Sequence, residues 1–335
     1  MTGRALITAA LLALLGLPAA AQKPPDSVTV AHVLTLAHAP YYIALEKGYF
    51  GEEGIKVEES TVRSAQDVQS MLATGKLDVS MGAVSTAFYN AQDQGLDLRI
   101  TAALGIQGEP QAYTRILVRK ELWDGGAIKS GKDLKARKVA VIRNSLPEYL
   151  LVIMLEKYGM GIDEVEEVNL GFPEMSIALK NKGVDAAIMP DPFAATVIGR
   201  GDAALLLPEA RVGIGDLSTV VFFSGEFMRQ RPEVGVRFLR ALLRAARETQ
   251  AAYNKDPALA ALLAKVTKLS VESIERSTPP GFDPTLDIGK FSASLRNQER
   301  VYMALGRLTY TSPLPMDRLI DTRFIHEAGA SFEKK

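Results

Sequence analysis

The sequence predicts an α/β protein of two lobes, each a mostly parallel sheet flanked by helices, joined by two hinge crossings. Three observations carry that prediction. Short β-like runs alternate with helical ones from Val28 to Leu104, and such alternation builds a parallel sheet covered on both faces. The alternation stops at Gln107-Gly108-Glu109-Pro110 and then starts again. A buried strand from Val220 to Phe223 follows, and beyond Pro232 the chain reads as almost wholly helical. The chain is therefore expected to leave the first lobe near Tyr113 to Arg115 and to return near Thr219 to Val221. Two lobes on two extended connections form a hinge with a ligand cleft between them.

The elements follow in order. Val28 to Leu36 reads as a strand, Tyr41 to Lys47 as a helix and Ile55 to Ser60 as a strand. A helix around Ala65 to Thr74 is followed by a strand at Asp78 to Met81, a helix from Ser85 to Gln94 and a strand at Leu98 to Leu104. In the second unit, Arg115 to Arg119 and Val139 to Ile142 are strands, and Pro147 to Tyr158 is a helix. Strands near Val165 to Leu170 and Val184 to Met189, a helix after Pro192 and a strand at Ala203 to Leu207 complete it. The final helices are expected to pack back on the first lobe. The division is a leader over residues 1–21, lobe 1 over 22–114 and 220–335, and lobe 2 over 115–219.

The leader is read from Arg4, an unbroken apolar run from Ala5 to Leu17, then Pro18 and Ala19-Ala20-Ala21. One positive charge, a short apolar core and small residues describe a cleavable secretory signal, shorter than the roughly 20 apolar residues of a membrane span. Cleavage after Ala21 would leave 335 − 21 = 314 residues, expected in the periplasm as a monomer. The chain holds 39 basic and 39 acidic residues, which gives no field to attract nucleic acid or an acidic membrane. It has no cysteine, which excludes disulfides, thiolate metal sites and cysteine nucleophiles.

Candidate contacts come from helix starts that lack side-chain caps. Pro40 suits a first helical position, Ala39 before it cannot cap, and the amides of Tyr41 and Tyr42 are then open to a ligand. Gly82-Ala83-Val84-Ser85-Thr86 places small residues where a ligand can approach the backbone, although Ser85 also suits an N-cap. Ser64 with Asp67, and Ser145 with Glu148, fit capping boxes. Asp191 before Pro192 reads as an N-cap, and also stands at a strand's carboxyl end, where ligands of open sheets bind. Arg63, His38 and Arg143, with Asn144 beside it, stand at equivalent loops, and cations beside open helix starts suit an anion. Tyr42 and Phe193 are candidates to stack on a ligand, while Phe88 and Tyr89 read as core. Ser218 and Thr219, near the second crossing, are candidate hydroxyl donors. The arginines from Arg237 to Arg247 read as a solvated helix face, with Arg244 and Glu248 as an i,i+4 pair.

Some of these residues resemble a family. Pro40-Tyr41-Tyr42-Ile43-Ala44, Lys47-Gly48-Tyr49-Phe50 and Gly54-Ile55 are similar to the opening of periplasmic binding proteins for nitrate, sulfonates, taurine and thiamine-pyrimidine precursors. Leu72 to Val79 resembles their next segment, and Gly183 to Ile188 with Asp191-Pro192-Phe193 resembles the second-lobe counterpart. The resemblance implies a type II periplasmic-binding-protein fold and a solute-binding subunit serving the permease and ATPase of an ABC importer. It implies no catalysis and no cofactor. The expected ligand is a small organic anion, with a neutral heterocycle of the pyrimidine kind as the alternative. Relatives on this scaffold include a cysteine-dependent desulfinase and a thiamine-pyrimidine synthase with a cysteine-rich motif, and neither chemistry is available without cysteine. The histidines His32, His38 and His326 have no metal-ligand spacing.

Overall fold

The computed structural model describes residues 24–62, 68–252 and 256–333. The expected leader, Arg63, and Ser64 with Asp67 lie outside the described residues. Within them, β1 (Asp26–Val33), β2 (Ile55–Val62), β3 (Val79–Gly82), β4 (Leu98–Ile106) and β10 (Leu217–Ser224) form one sheet in the order β2-β1-β3-β10-β4. The second holds β5 (Thr114–Arg119), β6 (Lys138–Val141), β7 (Glu166–Asn169), β8 (Ala186–Pro190) and β9 (Ala203–Leu205) in the order β7-β6-β8-β5-β9.

Four strands of each sheet run one way, and one runs against both its neighbours: β10 in the first and β5 in the second. Each odd strand is the one by which the chain enters from the other lobe, so it arrives from the opposite direction. All eight residues of β10 are buried, consistent with its central place and its Val-Val-Phe-Phe run. Gly48 closes the Ala39–Glu46 helix with φ +74°, the left-handed conformation that glycine adopts without a Cβ clash. Asp78 accepts from Thr29 N at 2.9 Å and pairs with Arg231, a structural role at the foot of β3.

The last helices divide their packing. Pro232–Ala252 lies on Ala39–Glu46 and on Arg323–Glu333 of the first lobe. Its arginines are paired rather than simply solvated. Arg237 bonds Asp26 at 2.6 Å, Arg240 bonds Glu53 at 3.0 Å and Arg244 bonds Glu52 at 2.6 Å. Glu248 accepts from Lys47 and Tyr49, both at 2.6 Å, instead of from Arg244.

Ser292–Ala304 departs from the expected packing on the first lobe alone. It touches the Thr86–Asp93 helix of that lobe and also the Leu146–Glu156 helix of the second. Across the latter contact Arg300 binds Glu156 at 3.0 and 3.1 Å, and Asn297 donates to Tyr149 Oη at 2.7 Å. These are polar side-chain tips, which no apolar periodicity separates from a solvated face. The Phe172–Lys180 helix was not anticipated either. No helix among the described residues is long and apolar enough to cross a membrane.

Candidate functional site

The carboxyl ends of β1, β3, β6 and β8 point toward the gap between the sheets, and Val33, Gly82, Ile142 and Pro190 there line an inner recess of about 60 Å³. Ala83, Ser145, Ser218 and Thr219 also line it, with Thr35, Tyr113, Thr114, Leu146, Pro147 and Phe172. An outer chamber of about 500 Å³ adjoins it, sharing Val33, Ile142 and Phe172 and adding Leu34, Val62, Asn169, Leu170, Gly171, Pro173, Glu174 and Phe193. The Phe172 and Phe193 rings stand 5.5 Å apart as an aromatic wall. Thr86 N donates to Asn144 O at 3.1 Å, so the lobes already touch at the rim.

Several expected contacts are placed elsewhere. The helix start at Pro40 is not open: a 3-10 turn over Leu36–His38 runs into Ala39–Glu46, and Thr35 Oγ1 caps that turn by accepting from Ala37 N at 3.4 Å. Threonine is an N-cap residue, so this cap was legible one turn upstream. Tyr41 and Tyr42 are buried in the core. The Tyr41 hydroxyl donates to Glu59 at 2.9 Å, and Tyr42 Oη accepts from Thr35 N at 3.3 Å. Pro40 and His38 do not line the cleft. Arg143 does not line it either: its amide donates to Asn169 Oδ1 at 3.1 Å, its guanidinium to Glu167 O at 3.0 Å, and its Nε stands 3.4 Å from the Glu167 carboxylate.

Asp191 is fully buried and its carboxylate is committed. Oδ1 accepts from Ala195 N at 2.7 Å, while Oδ2 accepts from Thr278 N at 2.5 Å and from Arg115. The expected Ser145–Glu148 capping box is not made. Glu148 accepts from Asn144 N, one residue before the N-cap, at 2.7 Å, and the Ser145 hydroxyl does not cap the Leu146–Glu156 helix, while Ser145 lines the recess. Ser85 holds the N-cap position of Thr86–Asp93 without a side-chain cap bond, and its buried hydroxyl has no partner among the described residues. Phe88 and Tyr89 are core, as expected.

Thr35, Tyr113 and Thr114 were missed by the sequence reading. The Tyr113 hydroxyl donates to Asp191 O at 2.5 Å and lies 2.5 Å from Thr35 Oγ1, and Thr114 Oγ1 accepts from Gln107 at 3.0 Å. Tyr113 and Thr114 stand at the predicted first crossing, which was the available signal. Phe172 had none, because its helix was not foreseen.

His38 Nδ1 donates to Val33 O at 2.8 Å, and Nε2 is buried without a partner among the described residues. Burial, aided by nearby His32, lowers the His38 pKa from 6.5 to about 3. The unfolded chain therefore takes up a proton that the folded one refuses. This contribution to stability is complete above pH 6.5 and falls as the pH drops from 6.5 toward 3, by up to about 1.4 kcal/mol per unit. Urea midpoints at pH 7 and pH 5 are expected to differ less in His38→Gln than in the parent, and equal differences would refute this account.

Two sheets with a cleft at their carboxyl edges and a two-strand hinge define the periplasmic-binding-protein fold. The chain belongs to the NMT1/THI5-like family, whose model matches residues 35–255. It is 28% identical over 246 residues to the riboflavin-binding protein RibY of Chloroflexus aurantiacus, covering 71% of this chain and 66% of that one. It is 24% identical over 220 residues to a 4-amino-5-hydroxymethyl-2-methylpyrimidine phosphate synthase of Aspergillus parasiticus, covering 62% of this chain. The match spans 61% of that synthase's length. Among solved structures, the alkanesulfonate-binding protein SsuA of Xanthomonas axonopodis pv. citri, bound to MOPS, superposes with a TM-score of 0.70 at 16% identity, over 89% of this chain and 99% of that one.

Proposed function

We propose that the protein is the solute-binding subunit of an ATP-driven importer, working outside the cytoplasm, and that it holds an uncharged nitrogen heterocycle in the cleft without transforming it. The observation that carries this reading is the wall. Among the described residues the recess is lined by hydroxyls, aliphatic groups and aromatic rings, with no charged side chain. A buried anion without a cation meets a large desolvation cost, whereas a neutral ring needs only apolar contact and a few placed hydrogen bonds. The small organic anion (a sulfonate, nitrate, taurine or carboxylate) was expected from Arg63, Arg143 and His38. Arg143 is engaged by Glu167 and Asn169, His38 is buried and neutral, and Arg63 lies outside the described residues. RibY, a riboflavin-binding protein, and the Aspergillus pyrimidine phosphate synthase, both heterocycle proteins, support the same choice.

Capture works by closure. Only a ligand with higher affinity for the closed form shifts the two lobes toward it, and the closed form is what a permease and its ATPase would read. A thermal-shift panel of riboflavin, pyrimidines, taurine, MOPS and nitrate tests the ligand class. A bound species at a hundredfold excess over Kd adds about 2.7 kcal/mol of stability. Shifts are expected with heterocycles, and shifts with the anions alone would overturn the class. Recovery of a chemically altered heterocycle would replace the transport reading with the enzymatic one that the synthase relatives suggest.

A further inference from the structure

Resting on the heterocycle reading, we infer that the inner recess recognises a lactam edge of the ring, that is, a carbonyl oxygen with a ring N–H beside it. Ser218 and Thr219 are consecutive in β10 and would ordinarily face opposite sides of the sheet. The pairing with β4 shifts register on both sides of Thr219, and such irregularities re-aim side chains. Both hydroxyls consequently converge over Gly105. A methyl group built there would stand 2.8 Å from Ser218 Oγ and 2.9 Å from Thr219 Oγ1.

Ser218 is 3% and Thr219 7% exposed, both line the recess, and neither hydroxyl oxygen has a partner among the described residues. An unmade hydrogen bond at a buried hydroxyl costs about 1–3 kcal/mol, so an occupant that pairs both is favoured. The other hydroxyls of that wall, on Thr35, Tyr113 and Thr114, already bond within the protein. Ser145 lines the same recess from the second lobe, and its hydroxyl makes no cap bond.

Each hydroxyl can donate one hydrogen bond and can also accept, so the adjacent pair can meet C=O beside N–H with one donor and one acceptor. A carboxylate or sulfonate could accept from both hydroxyls, but it would bring its charge into a recess lined by no charged side chain. The recess of about 60 Å³ takes the edge of a ring and not its body. The body belongs in the chamber of about 500 Å³ beside Phe172 and Phe193.

Calorimetric titration of the purified protein with lumichrome, whose ring carries such an edge at N1 and at N3, and with its 1,3-dimethyl derivative, which has neither N–H, tests this. The parent protein is expected to bind lumichrome at least about tenfold more tightly than the methylated ring, because a site built for an N–H rejects the analogue lacking it. The Ser218→Ala/Thr219→Val double variant is expected to lose about tenfold in lumichrome affinity and the discrimination with it. Its urea midpoint stays level or rises, since no internal bond is removed; a lower midpoint would assign the hydroxyls to structure and overturn the inference. Equal affinity for both rings in the parent would overturn the lactam edge while leaving the heterocycle reading intact. Failure of lumichrome, riboflavin and pyrimidines alike to bind would remove both.

Discussion

Arg115→Met is expected to leave the protein about 3–5 kcal/mol less stable to urea, the usual cost of stranding one member of a buried ion pair. Arg115 lies on β5 just past the first crossing, and its guanidinium donates to Asp191 Oδ2 and to Thr278 Oγ1. Its side chain is 10% exposed and that of Asp191 is 0% exposed, so water cannot replace the lost partner. The knot joins both crossing-side strands of the second lobe to residue 278, beyond the return to the first. Burial raises the Asp191 pKa even with Arg115 beside it. In the folded variant the carboxyl therefore gains further preference for its proton, and the deficit is largest at neutral pH and narrows on acidification. Adding Asp191→Asn removes the stranded charge and should recover part of the loss. A deficit below about 1 kcal/mol would put this pair with ordinary surface pairs and refute the assignment.

Arg307→Ala is the second large effect, with a loss of about 2–3 kcal/mol expected. That is the buried-pair range reduced for a guanidinium that water partly reaches. Arg307 is held to the first lobe where Asn90 Nδ2 donates to its carbonyl at 3.1 Å, and its side chain crosses to Glu148 Oε1 at 3.0 Å. Glu148 is fully buried, and its other oxygen accepts from Asn144 N, whose own carbonyl takes the Thr86 amide across the cleft. Glu167 stands nearby, its pKa raised by burial and then by Glu148, so removing Arg307 leaves two carboxyls in one poorly solvated place, with Arg143 still beside Glu167. The variant should also bind ligand more weakly, because the segment carrying Ser145 loses its tether. Arg300→Ala serves as the control, because Arg300 also pairs with the Leu146–Glu156 helix. Its partner Glu156 is 45% exposed, and a change of about 0–1 kcal/mol is expected there. Similar urea midpoints for the two variants would contradict the role assigned to burial.

Both groups show where sequence reading reaches and stops. Asp191 was legible as an N-cap ahead of Pro192, and Oδ1 does accept from Ala195 N. Its second oxygen meets Arg115 and Thr278, residues 76 and 87 positions away, and no local pattern encodes that distance. Arg143 looked like a cleft cation because it precedes a helix start. Its side chain instead turned along its own sheet to Glu167, where a carboxylate and a carbonyl stabilise it better than an apolar cleft.

The strand–helix alternation, the two crossings and the placement of a cleft at the strands' carboxyl ends were all readable from residue order. They depend on local periodicity and on the direction in which a parallel sheet must run. Folding alone decided which polar groups were left over. Tyr41, Tyr42 and His38 went into the core, whereas a register shift in β10 brought Ser218 and Thr219 together over Gly105. A side chain's period along its own element says which face it occupies, but a hydrogen-bond partner is set by whatever the rest of the chain delivers to that face.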